Sequence, residues 1–424
     1  MTELKNIKNT VNENVSSVKL DNGLTIILVK KDGFSSYFAE LAVNYGGSVL
    51  NYKIDDKNFS IPEGTAHFLE HQLFTNEDGP CEESFSEMGA SPNAFTSPSM
   101  TAYHFECSRN FYENLATLIN FVSKPYFTAE SVEKERGIIA QEISMSQNRP
   151  SYRLYRNFLN SLFERHEISS AVLGTVESIS EVDAELLYRV HSHFYIPSNM
   201  LLTVCGDVEI EKVIETVETA KLSAKGHIPE PVYSVEESIR PFRRETYETA
   251  DIAATQLLFG CKLKDLSPDE THLFEYASFL GLNAVFGPTS DFFYENYNAG
   301  LFRGSFALSL DTGILSAPYL TFSCESQKPE ELLANFTKEL ERVKLKGVKE
   351  EDFRRCLNAL FGRELRSLDS FYDLSYALSS DFFKGLNYLE SFELFNKINV
   401  SDINNFLRLI EPGHLCVAQL NPKE

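Results

Sequence analysis

The 424 residues, 43% of them hydrophobic and 24% charged, have an ordinary globular composition and exceed what one hydrophobic core usually organises, so we expect at least two domains. The formal net charge of -22 repels phosphate backbones and argues against a nucleic-acid partner. No apolar run reaches the roughly 20 residues that span a bilayer, which argues against membrane insertion.

The first half of the chain predicts strands and helices in alternation. Its N-terminus, MTELKNIKNTVNENVSSV, is polar and lacks the apolar core of a signal peptide. Apolar, β-branched runs predict strands at 24–29, 37–44, 94–97, 100–107 and 201–205. Helical spacing and capping residues predict helices at 64–74, 83–88, 110–122, 128–146 and 211–220. Pro150 ends the helical region that precedes it.

A proline-containing segment divides the chain, and the second half repeats the order of elements in the first. Residues 224–241 contain three prolines and no sustained periodicity, which predicts a linker between an N-terminal domain (1–223) and a C-terminal domain (242–424). Strands are predicted at 255–260, 305–310 and 319–324, and helices at 268–285, 291–298, 329–345 and 350–366. Because strands and helices are interspersed and strands occur in hairpin-like pairs, we predict an α+β fold.

The cysteines favour a reducing compartment. All seven are scattered along the chain and form no CxxC pair. This pattern predicts reduced thiols and argues against both a disulfide framework and a cysteine-based zinc site. With the polar N-terminus, it leads us to expect a cytoplasmic protein.

The segment HFLEH at 67–71 is the strongest indication of a metal site in the sequence. On a helix, His67 and His71 lie one turn apart on the same face and can present imidazole nitrogens to one metal ion. Glu70 projects close to the same site, where a metal-bound water needs a base. Zinc suits imidazole and carboxylate ligands with one open position. The alternative is a surface helix with two histidines and an ion-pairing glutamate.

The predicted helix 128–146 offers a third ligand. Glu135 and Glu142 are seven residues apart, hence two turns apart on one face. Glu142 follows small and apolar residues that suit a buried helix, and a metal would satisfy a carboxylate there. Glu135 could then orient a ligating histidine. The alternative is that both carboxylates lie on a solvated helix face.

The sequence resembles the pitrilysin/insulinase family of zinc peptidases, the inverzincins. The resemblance rests on HFLEH at 67–71 and on ERGIIAQE at 135–142, with 70 residues between His71 and Glu142. The segment GASPNAFTSPSMTAYHFE at 89–106 is similar to the strand pair of that family, and residues 275–301 are similar to the start of its second, degenerate domain. The likeness is to the two-domain bacterial type, which resembles the processing-peptidase-like subfamily.

The resemblance implies a fold and a set of roles. Each half would be an antiparallel sheet flanked by helices, and the two halves would form a pseudo-repeat. His67, His71 and Glu142 would ligate one zinc ion per chain. Glu70 would be the general base, and Glu135 would be a carboxylate that orients a ligating histidine without binding the metal itself.

The resemblance also implies how a substrate and a partner would bind. Asn93, Ala94, Phe95 and Thr96 would form an edge strand on which an extended oligopeptide is laid. Two such chains, as a homodimer or a heterodimer with a sister chain, would close like a clamshell around the peptide. In the family an Arg and a Tyr of the second domain also contact substrate. This sequence has no Arg between Arg303 and Arg342, so we hypothesise that a partner subunit supplies those groups; Tyr319 stays unassigned.

Several functions are compatible with these residues. The first is a zinc endopeptidase that hydrolyses oligopeptides with zinc-activated water. The second is a non-catalytic subunit that binds peptides or scaffolds a partner. The third is a maturation enzyme for one particular peptide, which differs from the first in substrate and not in chemistry. A structural zinc protein would need a fourth protein ligand, and the sequence suggests none.

Overall fold

The computed structural model describes residues 4–76, 79–220, 222, 226–234 and 237–423. Residues 224, 225, 235 and 236 of the predicted linker therefore lie outside the described residues. None of the described helices combines the length and the apolar character that crossing a bilayer requires.

The strands and helices follow the chain in this order. The strands are β1 (Leu4–Asn6), β2 (Asn14–Lys19), β3 (Thr25–Lys30), β4 (Tyr37–Val43), β5 (Asn51–Ile54), β6 (Lys57–Ser60), β7 (Thr75–Asn76), β8 (Gly79–Pro80), β9 (Ala90–Thr96), β10 (Thr101–Cys107), β11 (Met200–Gly206), β12 (Glu230–Pro231), β13 (Glu245–Ala250), β14 (Gln256–Lys262), β15 (Arg303–Asp311), β16 (Tyr319–Glu325) and β17 (Cys416–Pro422). The helices are α1 (Thr65–Leu73), α2 (Cys81–Met88), α3 (Phe111–Ser123), α4 (Ala129–Gln147), α5 (Pro150–Leu162), α6 (Val176–Ser180), α7 (Ala184–Phe194), α8 (Ile210–Thr219), α9 (Pro268–Phe286), α10 (Asp291–Asn298), α11 (Pro329–Lys346), α12 (Glu350–Ser367), α13 (Phe371–Phe383) and α14 (Val400–Leu409).

Most predicted elements are present, and the differences have local causes. The strand predicted at 94–97 is longer and begins at Ala90. Pro150 does not end a helical region but begins α5. Proline is well tolerated in the first turn of a helix, because its missing N–H would have no partner inside the helix anyway.

The chain forms two compact units that interleave along the sequence. Unit 1 consists of Met1–Ile143, Ser170–Tyr233 and Ser367–Phe392, and unit 2 consists of Ser144–Ser169, Ser234–Arg366 and Glu393–Glu424. The helix α13 therefore belongs to unit 1 although it lies late in the sequence. The contiguous limits predicted above, 1–223 and 242–424, stay a prediction.

Each unit contains one sheet, and the two sheets repeat the same strand pattern. Over the described residues, the sheet of unit 1 has the order β1-β2-β3-β11-β4-β10-β9 and that of unit 2 the order β13-β17-β14-β16-β15. The five strands β3-β11-β4-β10-β9 of unit 1 correspond to the five strands of unit 2. In each set, the strand that comes first in the sequence pairs in parallel with the strand that comes last, β3 with β11 and β13 with β17. The other pairs of the shared strands are antiparallel.

This pattern confirms the predicted α+β fold of two related halves. Each sheet is mixed and not purely antiparallel. A parallel pair needs a long crossover connection. In unit 1 the chain between β3 and β11 supplies it and contains β4, β10 and the helices α1 to α7.

The two faces of the unit 1 sheet differ. Leu41, Tyr103 and Leu202 point from β4, β10 and β11 into the main hydrophobic core. The alternate residues point to the opposite face, where Thr203, Glu40 and His104 stand side by side on the three strands. The helix α13 packs over this opposite face.

Glu40 is a buried carboxyl on that opposite face. Its side chain is fully buried, and its Oε1 atom accepts a hydrogen bond of 2.7 Å from the Ser379 hydroxyl of α13. Its Oε2 atom has no partner among the described residues. Burial raises the pKa of Glu40 from 4.5 to about 7, against a lowering effect of the Ser379 bond.

Replacing Glu40 with Gln is expected to stabilise the chain at pH 8 and to change its stability little at pH 5. The folded chain holds this proton up to about pH 7, whereas the unfolded chain releases it near 4.5. The wild type therefore loses stability as the pH rises between these values, and a neutral Gln does not. Thermal melts should show the difference in Tm growing by about 2–5 °C from pH 5 to pH 8.

Comparing the variant with the wild type separates the effect of Glu40 from that of the neighbouring His104. Burial lowers the pKa of His104 to about 4, but this contribution is present in both chains and cancels in the difference. A difference in Tm that stays constant across the pH range would contradict a protonated Glu40.

Candidate active site

The short helix α1 holds HFLEH at the margin of the core. Gly64 precedes it with a left-handed φ of 88°, and a Cβ atom there would lie 2.7 Å from the carbonyl oxygen of Leu173. Glycine is therefore required where the chain enters the helix. Phe68 and Leu69 are fully buried in the core, so the helix cannot rotate, and the rings of His67 and His71 lie on one face with centroids 4.5 Å apart.

The helix α4 brings a carboxylate to these two rings. Glu142 Oε2 lies 3.7 Å from His67 Nε2 and 3.6 Å from His71 Nε2. The three potential ligand atoms lie within 4.8 Å of one another. The core residues Ile139 and Ile143 of α4 are buried on either side, which fixes the face that Glu142 presents. The structure thus brings together the three residues that were predicted as ligands.

Glu135 orients one of the two histidines. Its Oε1 atom lies 2.9 Å from His71 Nδ1, so a proton on Nδ1 leaves Nε2 free to bind a cation. Burial alone would lower the pKa of His71, but the Glu135 bond and the nearby carboxylates raise it overall. For His67, burial and the charge of His71 lower the pKa to about 3. Its Nδ1 atom has no partner among the described residues, so no hydrogen bond at Nδ1 orients this ring as Glu135 orients His71.

Glu70 is buried beside the three candidate ligands. It is 8% exposed, and its Oε2 atom accepts a hydrogen bond from the Thr96 hydroxyl of β9. Burial raises the pKa of Glu70 above 4.5, while the Thr96 bond and the charge of His71 lower it in part. A carboxylate held at a raised pKa is suited to take a proton and pass it on near neutral pH.

The donor set fits a zinc ion. Glu142 Oε2 is 3.6 and 3.7 Å from the two imidazole nitrogens, close to the separation of about 3.3 Å between ligands of a tetrahedral zinc with bonds of about 2.0–2.1 Å. All three ligand atoms lie within 4.8 Å of one another. Imidazole and carboxylate are ligands that zinc prefers. Three protein ligands leave a fourth position open, which is typical of catalytic and not of structural zinc.

The residues predicted to bind a peptide lie on β9, which ends the unit 1 sheet. Ser97 donates its N–H to the Met100 carbonyl with a distance of 2.8 Å. In an antiparallel pair the bonded residues alternate, so Ala94 and Thr96 direct their N–H and C=O groups away from β10 to the free edge. The Ala94 N–H is held by the side chain of Asn93 at 2.9 Å.

The side chains of β9 alternate between the two faces. Thr96 points to the face of Glu70. Phe95 points to the other face, where its ring lies near those of Tyr372 and Tyr376 of α13, with centroids 6.3 and 5.6 Å away. The predicted edge strand is thus confirmed as a strand at the edge of the sheet. Its role in binding a peptide stays a prediction.

One contact of the site was missed by sequence reasoning. The bond from Thr96 to Glu70 joins residues 26 positions apart, and no spacing rule predicts it. The Arg and Tyr expected from the second domain stay unplaced. The hydroxyl of Tyr319 is buried in unit 2 and lies 2.5 Å from that of Tyr155 and 3.0 Å from Asp311.

His191 and His193, on either side of Ser192 in α7, have structural partners. His191 Nε2 lies 2.8 Å from the carbonyl oxygen of Val122, and His193 Nδ1 lies 2.8 Å from the hydroxyl of Tyr52. Within the part of the chain that the structure describes, no second group of metal-ligating side chains converges.

Comparison with known proteins identifies the family. A family model described as insulinase (peptidase family M16) matches residues 60–176, a range that includes all the candidate ligands. A second, described as the peptidase M16 inactive domain, matches residues 181–360. The chain is 32% identical over 413 residues to the uncharacterized zinc protease YmfH of Bacillus subtilis, covering 96% of each chain.

Solved structures share the fold. The chain is similar to one from Alicyclobacillus acidocaldarius described as an M16-like peptidase, with 27% identity, a TM-score of 0.93 and coverage of 98% of this chain and 100% of that one. It also superimposes on pitrilysin with 17% identity and a TM-score of 0.75, where all of this chain covers 47% of the pitrilysin chain. With the HFLEH helix and a converging glutamate in place, these matches show that the chain belongs to the insulinase family of peptidases, M16.

Proposed function

We propose that this protein is a zinc-dependent endopeptidase that hydrolyses oligopeptides. The observation that carries the proposal is the convergence of His67, His71 and Glu142 within 4.8 Å beside the buried carboxyl of Glu70. Membership of a peptidase family and the match to a relative named as a zinc protease support it. A subunit without catalytic activity would have no chemical need for all these groups.

Each residue of the site would have a separate role in hydrolysis. His67, His71 and Glu142 would hold the zinc ion, which when bound activates a water molecule and polarises the peptide carbonyl. Glu70 accepts a proton from the water that attacks the carbonyl carbon. It then gives the proton to the amide nitrogen as the C–N bond breaks. Glu135 keeps His71 in the tautomer that leaves Nε2 free to bind zinc.

The free edge of β9 favours an extended peptide as substrate. Main-chain groups of Ala94 and Thr96 would pair with the peptide as an added strand, with Asn93 and Phe95 alongside. Recognition through main-chain hydrogen bonds makes little demand on sequence. Such pairing needs several residues on both sides of the cleaved bond, so we propose that the substrates are oligopeptides and that cleavage is internal. The expected cytoplasmic location stays a prediction.

We further propose that a second chain, either another copy or a sister protein, completes the peptide-binding chamber. The superposition on 47% of pitrilysin supports this, because two chains of this size would equal one pitrilysin chain. The unplaced Arg and Tyr of the second domain also favour a partner that contributes substrate-binding groups.

The function is tested by offering purified, zinc-loaded chain a mixed library of quenched peptides. Peptides of about 10–30 residues span an edge strand with several residues to spare. We expect cleavage at internal bonds, and loss of cleavage when a chelator removes the zinc. Zinc per chain is measured on the same samples by mass spectrometry of the metal.

The outcomes separate the parts of the proposal. Absence of bound zinc would contradict a metallopeptidase. One zinc per chain without cleavage would indicate that the second subunit is needed, and light scattering and co-purification would then identify the assembly. Cleavage at a normal rate by a monomer would contradict the need for a partner.

A further inference from the structure

We propose that Thr96 is a positioning residue for the general base: its hydroxyl fixes the Glu70 carboxylate in the orientation that accepts the proton of the attacking water. The inference rests on the proposed peptidase function, since it concerns how Glu70 acts. It gives Thr96 a role different from that of a strand residue that contacts substrate only through its backbone.

The geometry singles out one hydroxyl. Thr96 Oγ1 donates to Glu70 Oε2, which leaves the second carboxylate oxygen as the proton acceptor. The nearest hydroxyl on the neighbouring strand, that of Thr101, lies 3.5 Å from Thr96 Oγ1. It donates to the Tyr45 carbonyl at 2.8 Å and is therefore engaged elsewhere. Among the described residues, the Thr96 bond can therefore hold the Glu70 carboxylate in one rotamer.

A buried base needs such a bond for catalysis and not only for stability. Glu70 reaches the site through a flexible side chain, and its terminal torsion is broad in glutamates. Proton transfer requires heavy atoms to approach within about 2.6–3.2 Å. A misplacement of about 1 Å can cost about 100-fold in rate. A hydrogen bond from Thr96 on β9 would fix the plane of the Glu70 carboxylate and remove this torsional freedom before substrate binds.

Thr96 also joins the base to the strand that would carry substrate. Its side chain bonds Glu70, while its backbone N–H and C=O face the free edge of β9. A peptide that pairs with β9 would therefore be positioned relative to Glu70 through one residue. Small movements of the strand would carry the base with them and preserve the distance between the base and the bond to be cleaved.

The test compares Thr96→Val, which keeps the shape and removes the hydroxyl, with Thr96→Ser, which keeps the hydroxyl. In the zinc-loaded full chain, we expect Thr96→Val to lower kcat by about 10- to 100-fold with KM changed less than about twofold. Thr96→Ser should recover most of kcat. Zinc per chain should equal that of the wild type in both. The matched control is Thr203→Val, on the opposite face of the same sheet, whose buried hydroxyl has no partner among the described residues; its kcat should not change.

A second arm asks whether Thr96 acts through Glu70. In a Glu70→Gln background, Thr96→Val should cost little further activity, because the group that it positions is already gone. An equal fold-loss in both backgrounds, or an unchanged kcat in Thr96→Val alone, would overturn the proposal. So would Thr96→Ser behaving like Thr96→Val.

Crystal structures of zinc-loaded wild type and Thr96→Val give a readout that does not depend on activity. We expect the Glu70 carboxylate to turn away or to occupy two rotamers in the variant. An unmoved Glu70 would overturn the proposal, even if the wild type cleaved no peptide. Absence of cleavage by a zinc-loaded wild type whose Glu70 is bonded to Thr96 would instead count against the proposed function of the isolated chain, so the two failures are distinguishable.

Discussion

Replacing Glu70 with Gln is expected to lower kcat by about 100- to 10,000-fold while fold and bound zinc are retained. The amide has nearly the shape of the carboxylate and can still accept a hydrogen bond from Thr96. It cannot take a proton from water. Because Glu70 is not among the ligands, zinc per chain should stay at the value of the wild type.

The measurement is single-turnover cleavage of the best peptide found in the library, with zinc content and thermal melting recorded on the same preparations. Glu87→Gln, an exposed residue of α2, is the matched control and should behave like the wild type. Full activity of the Glu70 variant would exclude this residue as the base. A loss of zinc together with activity would mean that Glu70 supports the metal and not the proton transfer.

Replacing Glu142 with Gln is expected to abolish both stable zinc binding and activity. The amide oxygen is a weak ligand for zinc compared with a carboxylate, and only two protein ligands would remain. Loss of a supporting partner of a ligand costs about 10- to 100-fold in metal affinity, so loss of a ligand should cost more. The variant should lose its zinc on dialysis against a weak chelator that leaves the wild type loaded.

Thermal melting gives an independent measure of the same change. Zinc held by the folded chain would stabilise it, so we expect the wild type to melt at a higher temperature with zinc than with chelator, and Glu142→Gln to melt at the same temperature in both. The control on the same helix is Glu130→Gln, an exposed residue in the first turn of α4. One zinc per chain in the Glu142 variant after dialysis would remove this residue from the ligand set.

The candidate ligands could be predicted from sequence because helical spacing is local information. Residues four apart in HFLEH, and seven apart between Glu135 and Glu142, must share a helix face. Spacing cannot bring α1 and α4 together, since their contact depends on how both helices pack on one sheet. The resemblance to a family supplied that step, and the structure places Glu142 Oε2 within 3.7 Å of both imidazole Nε2 atoms.

Features that depend on long-range pairing could not be predicted. The Thr96 bond to Glu70 requires the register of β9 against β10 and the rotation of α1, neither of which is encoded in neighbouring residues. The same holds for α13, whose Ser379 reaches Glu40 across 339 positions. The sequence half in which a helix lies does not decide the sheet on which it packs. Pro150 shows a different limit, because proline marks both the end of one helix and the start of another.

The unpaired edge of β9 also bears on how this protein behaves at high concentration. A strand that accepts a peptide will accept the edge of another sheet, and open edges promote aggregation. Here Pro92 occupies a position whose nitrogen faces the free edge, by the same alternation that directs Ala94 and Thr96 there, and it offers no donor. Asn93 covers the Ala94 N–H. Of Pro92, Ala94 and Thr96, Thr96 alone therefore keeps an open N–H donor, whereas the carbonyls of Ala94 and Thr96 stay available. One open donor would suffice to align a single peptide in the proposed site but gives a second sheet little to pair with.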